Sequence, residues 1–412
     1  MKYITEKKNC RLCNSRNLNK LFELCSSPLA NNLAVKKLDS LKSPKFPLNI
    51  MFCKKCFHVQ LEHVVEASKL YKNYLYMTGI SNKFKIHFEK YANEVIKRFK
   101  NFKNIKILEI GSNDCTLLDF LRKKNHITVG IEPAKNLFNI TKKRHTIIND
   151  FYNDKTNTIL KKKFNNFDLV IANNVFAHID NFKLVFKLLK SIIHKESLIV
   201  FEVSYLLDVL KKNLFDTIYH EHLDYHSLIP LITFFKKNNF KIIDASKVSM
   251  HGGSIRLYIA RRDSARKVNN KNINNLVKKE IENGLKKTAT FSKFHDNLNR
   301  QKKKLNSFFE DIKGEIVYGY GAPAKAVTLL NFFNLNHENI KLIIDDSPLK
   351  QKKYIPSSEI KIYNSEILIK KPPKYIVILA WNVYEDILKK LKKYRKIDYA
   401  IIPLPRFKIV KL

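Results

Sequence analysis

"LEIGSND", residues 108–114, closes one apolar run and opens a helical one, with a single glycine at the turn. It completes "IKILEIG" (105–111), a short β-rich run that reads as a buried strand, and "LLDFLRKK" (117–124) follows with helical spacing. The alternation continues outward. "ITVGIEP" (127–133) reads as a strand, "FDLVIANNVFAHI" (167–179) as a strand running into a loop, "LVFKLLKSII" (184–193) as a helix and "SLIVFEV" (197–203) as a strand. Strands alternating with helices predict an α/β fold with a parallel, doubly wound sheet. Ligands of such sheets bind at the carboxyl ends of the strands, where this loop falls.

The loop's residue types say which ligand. Gly111 lets the backbone turn tightly and a ligand approach. Glu109 can accept from an ammonium or a water, and Asn113 and Asp114 offer polar contacts. Glu132 ends the next strand, 21 residues past Gly111, where an acid can hold both hydroxyls of a ribose. A dinucleotide needs three glycines to seat its pyrophosphate, and acids repel one. One glycine among acids instead favours S-adenosylmethionine, a sulfonium with an amino-acid tail. Asn174, past the next strand, joins the cofactor set. Asn149 and Asp150 reach toward an adenine or form a plain polar turn.

A second, smaller alternation follows near the C-terminus: "EIVYGYG" (315–321) strand, "AKAVTLLNFF" (324–333) helix, "IKLIIDDSP" (340–348) strand, "YIVILAW" (375–381) strand and "YEDILKKLKK" (384–393) helix. Residues 71–100 predict a helix with Phe84, Phe88, Tyr91, Val95 and Phe99 on one face, and 264–312 one or two solvated joining helices. The 412 residues thus divide into 1–70, 71–310 and 311–412.

Four of the six cysteines lie in the first part, as Cys10/Cys13 and Cys53/Cys56, two C-x2-C pairs separated by 39 residues. Each pair suits a zinc knuckle, and four sulfurs leave no open position, so the zinc is structural. Buried free thiols are the alternative. No apolar run reaches 18 residues; the best, "LIVFEVSYLLDVL" (198–210), holds Glu202 and Asp208. "MKYITEKKNC" lacks the apolar core of a signal peptide, so a cytoplasmic, monomeric protein without a membrane partner is expected. The net charge of +40 raises nucleic acid as a partner. It is mostly lysine, spread along the whole chain, with about a dozen arginines, which argues for a compositional bias instead.

"YHEHLDYHS" (219–227) concentrates titratable groups, and "HGGSIR" (251–256) and "YGYGAPAK" (318–325) concentrate glycine. In the last, Pro323 starts a helix whose free N–H groups, with Lys325, suit an anion; a plain strand–helix turn is the competing reading. Taken in order, the paired cysteines, "LEIGSND", "NNVFAHI", "YHEHLDYHS", "HGGSIR" and "YGYGAPAKAVTLLN" resemble the sugar C-methyltransferase family along nearly the whole chain. The resemblance implies three parts: a small zinc domain, a Rossmann-like methyltransferase domain and a C-terminal Rossmann-like domain. It implies methyl transfer from S-adenosylmethionine to a carbon of a nucleotide-linked keto-deoxysugar, dTDP-linked in the first instance.

That reaction needs a base beside the ketone and a donor for the enolate oxygen. The resemblance assigns His222 as base, with Tyr219 and Glu221 positioning groups or relaying the proton. His178 polarises the carbonyl, and Tyr76 (Tyr74 if the register slips) reaches the cavity. His220 receives no role. Gly253 and Ser254, with Gly252 and Arg256, line the sugar site, and Lys325 meets the diphosphate. The family's cofactor loop continues with glycine where this chain has Cys115. The histidine stretch also admits a second metal or a solvated loop. The alternative functions are an O- or N-methyltransferase of a sugar or small molecule, and a non-catalytic nucleic-acid-binding module.

Overall fold

Seven strands make the central sheet, in the order Phe240–Val248, Ser254–Arg261, Ile193–Ser204, Phe167–Asn173, Lys106–Ile110, Ile127–Ile131, Thr146–Ile148. They belong to a computed structural model that describes residues 3–71, 74–99, 104–123 and 126–412. The five strands from Ile193–Ser204 to Thr146–Ile148 are parallel. Ser254–Arg261 is inserted antiparallel between Ile193–Ser204 and Phe240–Val248. A dinucleotide-binding sheet instead places its sixth strand directly beside its fifth. The chain leaves Lys106–Ile110 in one direction and returns as Phe167–Asn173 on its other side. The switch point, and the expected ligand crevice, lies at the carboxyl ends of those two strands. Both are buried on both faces: Ile107, Leu108, Leu169, Val170 and Ala172 expose no surface. That is the continuous apolar pattern of a covered parallel sheet.

The α/β expectation holds, and the elements depart from it locally. The helix expected through residue 193 is Phe182–Leu189, and the apolar run carries on into the strand Ile193–Ser204. Periodicity cannot mark that junction, because helix face and buried strand are equally apolar. The stretch 71–100 holds a short helix, Ala67–Tyr71, then a non-helical passage, then the helix Asn82–Ile96; Lys72, Asn73 and Lys100 lie outside the described residues, as does Lys124 of the expected helix 117–124. The passage is tied to the cofactor loop. Asn113 Oδ1 accepts from the Thr78 N–H (3.1 Å) and Asp114 Oδ2 from the Gly79 N–H (2.6 Å).

The joining helices are Asn270–Glu282 and Thr288–Asp311. They are less solvated than their composition suggests. Glu280 is fully buried and accepts from Tyr205 Oη and from the N–H groups of Leu228 and Ile229. It thereby caps the helix Leu228–Lys237.

The N-terminal sheet has four antiparallel strands, ordered Asp224–Tyr225, Val59–Leu61, Phe46–Cys53, Leu18–Ser27. Its first strand comes from the middle of the chain. The C-terminal sheet is ordered Lys361–Tyr363, Leu342–Ile344, Val317–Tyr320, Tyr375–Ile378, Tyr399–Ile402, Lys408–Lys411, parallel except for the last pair. Among the described residues no helix is long and apolar enough to cross a membrane.

Candidate active site

The four paired cysteines converge. Their Sγ atoms all lie within 4.8 Å of one another, with Cys10–Cys56 and Cys13–Cys53 each 3.5 Å apart. A tetrahedral zinc with sulfurs at ~2.3 Å needs edges of about 3.8 Å, so the cluster fits the ion. Two like turns aim the thiols. The Asn14 N–H donates to the Cys10 carbonyl and the Phe57 N–H to the Cys53 carbonyl, and Asn14 and Phe57 both take positive φ.

At the switch point Gly111 (φ +69°) donates its N–H to the Ile131 carbonyl at 2.8 Å. A Cβ there would stand 2.4 Å from a Val175 methyl, so the turn requires glycine. Glu109 is buried, and burial, then the charges of Asp114 and Glu132, hold its carboxyl well above the usual range. Its Oε2, both amide atoms of the neighbouring Asn173, and Ser112 Oγ have no hydrogen-bond partner among the described residues. Asn173 also bears on Glu109 and lowers it, and a polar ligand at the switch point would satisfy the atoms left over. Glu132 accepts from the N–H groups of Asn113 (2.8 Å) and Ala134 (2.9 Å), which fix its carboxylate and leave further acceptor positions. Three acids around one glycine repel a pyrophosphate and suit a cationic sulfonium with an ammonium.

Asn174 (φ +55°) places its Nδ2 3.2 Å from His251 Nε2. Asn113 and Asp114 chiefly hold the passage 76–79, through the contacts above and the Tyr76 carbonyl. Asn149 donates to the carbonyls of Glu132 and Pro133 and serves the turn. Cys115 adopts φ +64°, and its side chain is buried in the cluster with Phe88, Leu117 and Leu118.

The histidine stretch folds into a buried corner. His222 Nδ1 lies 2.7 Å from the Thr217 carbonyl. A carbonyl only accepts, so Nδ1 carries the proton and Nε2 is bare. Tyr219 Oη donates to that Nε2 at 3.2 Å. His178 stacks between Tyr71 (centroids 5.6 Å apart) and His222 (5.1 Å), with no partner for its Nε2 among the described residues. Burial, then His222, keeps it neutral. Burial pulls His222 down to about 4; the Thr217 carbonyl opposes this and the charge of Lys325 adds to it. The ordinary near-neutral value of an imidazole is therefore lost at His222. Glu221 holds it instead, pushed up to about 7 by burial against hydrogen bonds from Asn31 and Tyr74. Tyr76 stands on the rim, 40% exposed, within electrostatic reach of Asp114 and of Tyr219.

The C-terminal part adds one charge. Lys325 Nζ is shut from solvent, has no hydrogen-bond partner among the described residues, and lies 5.4 Å from the centre of the Trp381 ring. Trp381 Nε1 donates to the buried Asp216 at 2.5 Å.

Three family models match the chain in series: a zinc binding domain over 10–71, a methyltransferase domain over 84–245 and a C-methyltransferase C-terminal domain over 249–405. The C-methyltransferase NovU of Streptomyces niveus is 28% identical over 405 residues, 97% of this chain and 96% of its own. The chain is a methyltransferase, and it is similar to the C-methyltransferases along nearly its whole length. The enzyme takes S-adenosylmethionine as methyl donor and carries a four-cysteine zinc site. Solved structures with local likeness include magnesium protoporphyrin IX methyltransferase from Synechocystis with bound S-adenosylmethionine: TM-score 0.33, 12% identity, 43% of this chain and 80% of that one. A Pyrococcus horikoshii protein gives 0.36, 13%, 47% and 98%.

Some residues singled out from the sequence are engaged in packing or ion pairs. Gly253 packs on Asp208, where a Cβ would meet Oδ2 at 2.3 Å. Ser254 is buried, with its Oγ on the Met250 carbonyl. Arg256 is spent on Glu202 and Glu94. Small residues beside a site serve strand packing as readily as ligand approach, and the motif alone does not separate the two. Asn31, Asn173 and His251 do reach the site's side chains and were not singled out. Asn173 carried the one available signal, as the last residue of a strand at the switch point.

Proposed function

We propose that the enzyme methylates a carbon of a nucleotide-linked keto-deoxysugar, dTDP-linked in the first instance. The three parts 1–70, 71–310 and 311–412 each give it side chains. S-adenosylmethionine, when bound, supplies an electrophilic methyl on sulfur. Glu109, Gly111, Asn173, Asn174 and Glu132 would hold it, by its ammonium, backbone approach and ribose. The chain's own work is to make the carbon nucleophile.

His222 Nε2 takes the proton from the carbon beside the ketone, and the electron pair moves to the carbonyl oxygen. Tyr219 Oη swings from Nε2 to that oxygen and donates to it. The carbon so made nucleophilic is the one that the donor, when bound, would methylate, the pair of the sulfur–methyl bond staying on sulfur. Thr217 steadies the imidazolium through Nδ1. Glu221 as carboxylate receives the proton through the corner. His178, neutral, donates to the carbonyl, and Tyr76 closes the rim. Lys325 meets an anionic part of the substrate, its diphosphate.

The observation that carries this reading is the bare Nε2 of His222 with a phenol hydroxyl on it, in a corner walled by His178 and Tyr71. A base and an oxygen donor side by side are what enolate formation requires, and oxygen methylation does not need the pair. The test is product analysis on a panel of nucleotide-linked keto-sugars with isotopically labelled methyl donor. The reading expects a new carbon–methyl bond next to the ketone, and a methyl on oxygen or nitrogen overturns it.

A further inference from the structure

We propose that Asn31 is a positioning residue of the active site, so that the zinc-bearing domain supplies part of the catalytic apparatus. Its Nδ2 donates to Glu221 Oε1 at 2.6 Å, while Tyr74 Oη donates to Oε2 at 3.2 Å. An amide N–H has no accessible ionisation, so its donation favours the carboxylate over the carboxylic acid. Glu221 is 1% exposed, and no ion pair to it occurs among the described residues. The titratable groups facing it are Tyr71, Tyr74 and Tyr219, all phenols that burial holds well above their usual range. Neutral donors alone therefore sustain its charge.

The loop that carries Glu221 is tied to the N-terminal domain on both sides of Glu221. His220 Nε2 meets the Phe46 carbonyl at 3.2 Å. The Leu61 N–H donates to the Leu223 carbonyl at 2.8 Å. Asp224–Tyr225 is a strand of the zinc domain's own sheet, and Asp224 is held by His58 at 2.7 Å, two residues past Cys56. The loop that carries Glu221 and the domain that carries Asn31 are thus one packed unit.

The proposal rests on the reading of Glu221 as the carboxylate of the proton path. The test uses the full-length, zinc-loaded chain with 13C-labelled glutamate, Glu221 being assigned from the signal missing in Glu221→Gln. Asn31→Ala is expected to raise the Glu221 pKa by roughly one unit. Asn31→Asp, of the same size, is expected to raise it further because two carboxyls then share the site. The acid limb of kcat/KM for methylation of a dTDP-linked keto-deoxyhexose moves up by the same amount. Unchanged Glu221 titration in a folded variant overturns the proposal; should the alanine variant lose zinc, the aspartate variant decides alone. Glu221→Gln separates the two ideas. Wild-type turnover in it sinks the carboxylate reading itself, whereas its inactivity alongside unshifted Asn31 variants sinks only the role of Asn31.

Discussion

The middle and C-terminal sheets carry the same turn. In the first, the Gly111 N–H donates to Ile131 and the Asn113 N–H to Glu132; in the second, the Gly321 N–H donates to Ile344 (2.7 Å) and the Ala322 N–H to Asp345 (2.7 Å). Each has a glycine at positive φ after a parallel strand and an acid ending the next. They differ in what is left unpaired. Around Gly111, Glu109 and Asn173 keep buried polar atoms without partners among the described residues. Around Gly321, Asp345 is closed by Ala322, the Ser347 N–H and Lys350, and a Cβ on the glycine would stand 2.5 Å from Ala380. The same kind of turn keeps unpaired polar atoms on its own acid and strand end in one place and closes its acid on itself in the other. Residual hydrogen-bonding capacity, more than the turn, marks the site.

Substituting the two acids breaks this comparison most sharply. Glu132→Ala is expected to weaken S-adenosylmethionine binding about 10- to 100-fold by calorimetry, the loss of charged hydrogen bonds. Asp345→Ala leaves that affinity as it was and lowers stability by about 1–3 kcal/mol, read by denaturant unfolding. Equal losses of affinity in both would make the two turns equivalent after all.

A smaller effect sharpens the contribution of the second sheet. Lys325→Met removes a buried ammonium that has no hydrogen-bond partner among the described residues and is offset only by the charge of Asp216 and the Trp381 ring, so the unliganded enzyme should unfold at higher denaturant concentration. KM for the sugar substrate should rise about tenfold while kcat holds. A fall in kcat at constant KM would move Lys325 from the diphosphate to the enolate.

The smallest effect concerns Cys115. A left-handed φ costs a side chain about 1 kcal/mol or more, and burying that side chain returns a similar amount. Cys115→Gly should therefore change stability by less than about 1 kcal/mol and leave cofactor affinity unaltered. A large gain in affinity would mean that the thiol crowds the cofactor, against its burial among Phe88, Leu117 and Leu118.

Much of the fold was legible because parallel strands announce themselves locally. The runs 105–111, 127–133 and 315–321 fall on Lys106–Ile110, Ile127–Ile131 and Val317–Tyr320. The C-x2-C pairs were legible because tetrahedral sulfur chemistry has a fixed spacing. The N-terminal sheet was not, because its edge strand Asp224–Tyr225 pairs with Val59–Leu61 across more than 160 residues of chain. No local pattern encodes that register. Asn31 stayed hidden for the same reason: within "PLANNL" it reads as a turn residue, and only tertiary packing brings it to Glu221. The titration of the corner was not legible either, because composition cannot report burial, which pulls His222 down and pushes Glu221 up toward neutrality.

Solvent exchange at the substrate carbon tests the central claim most directly. The enzyme and a dTDP-linked keto-deoxyhexose are placed in D2O with S-adenosylhomocysteine in place of the methyl donor, and deuterium uptake next to the ketone is followed by NMR. The account predicts uptake with the wild-type enzyme and its loss in His222→Asn, with zinc content and cofactor affinity intact. Uptake at the wild-type rate in His222→Asn would contradict it.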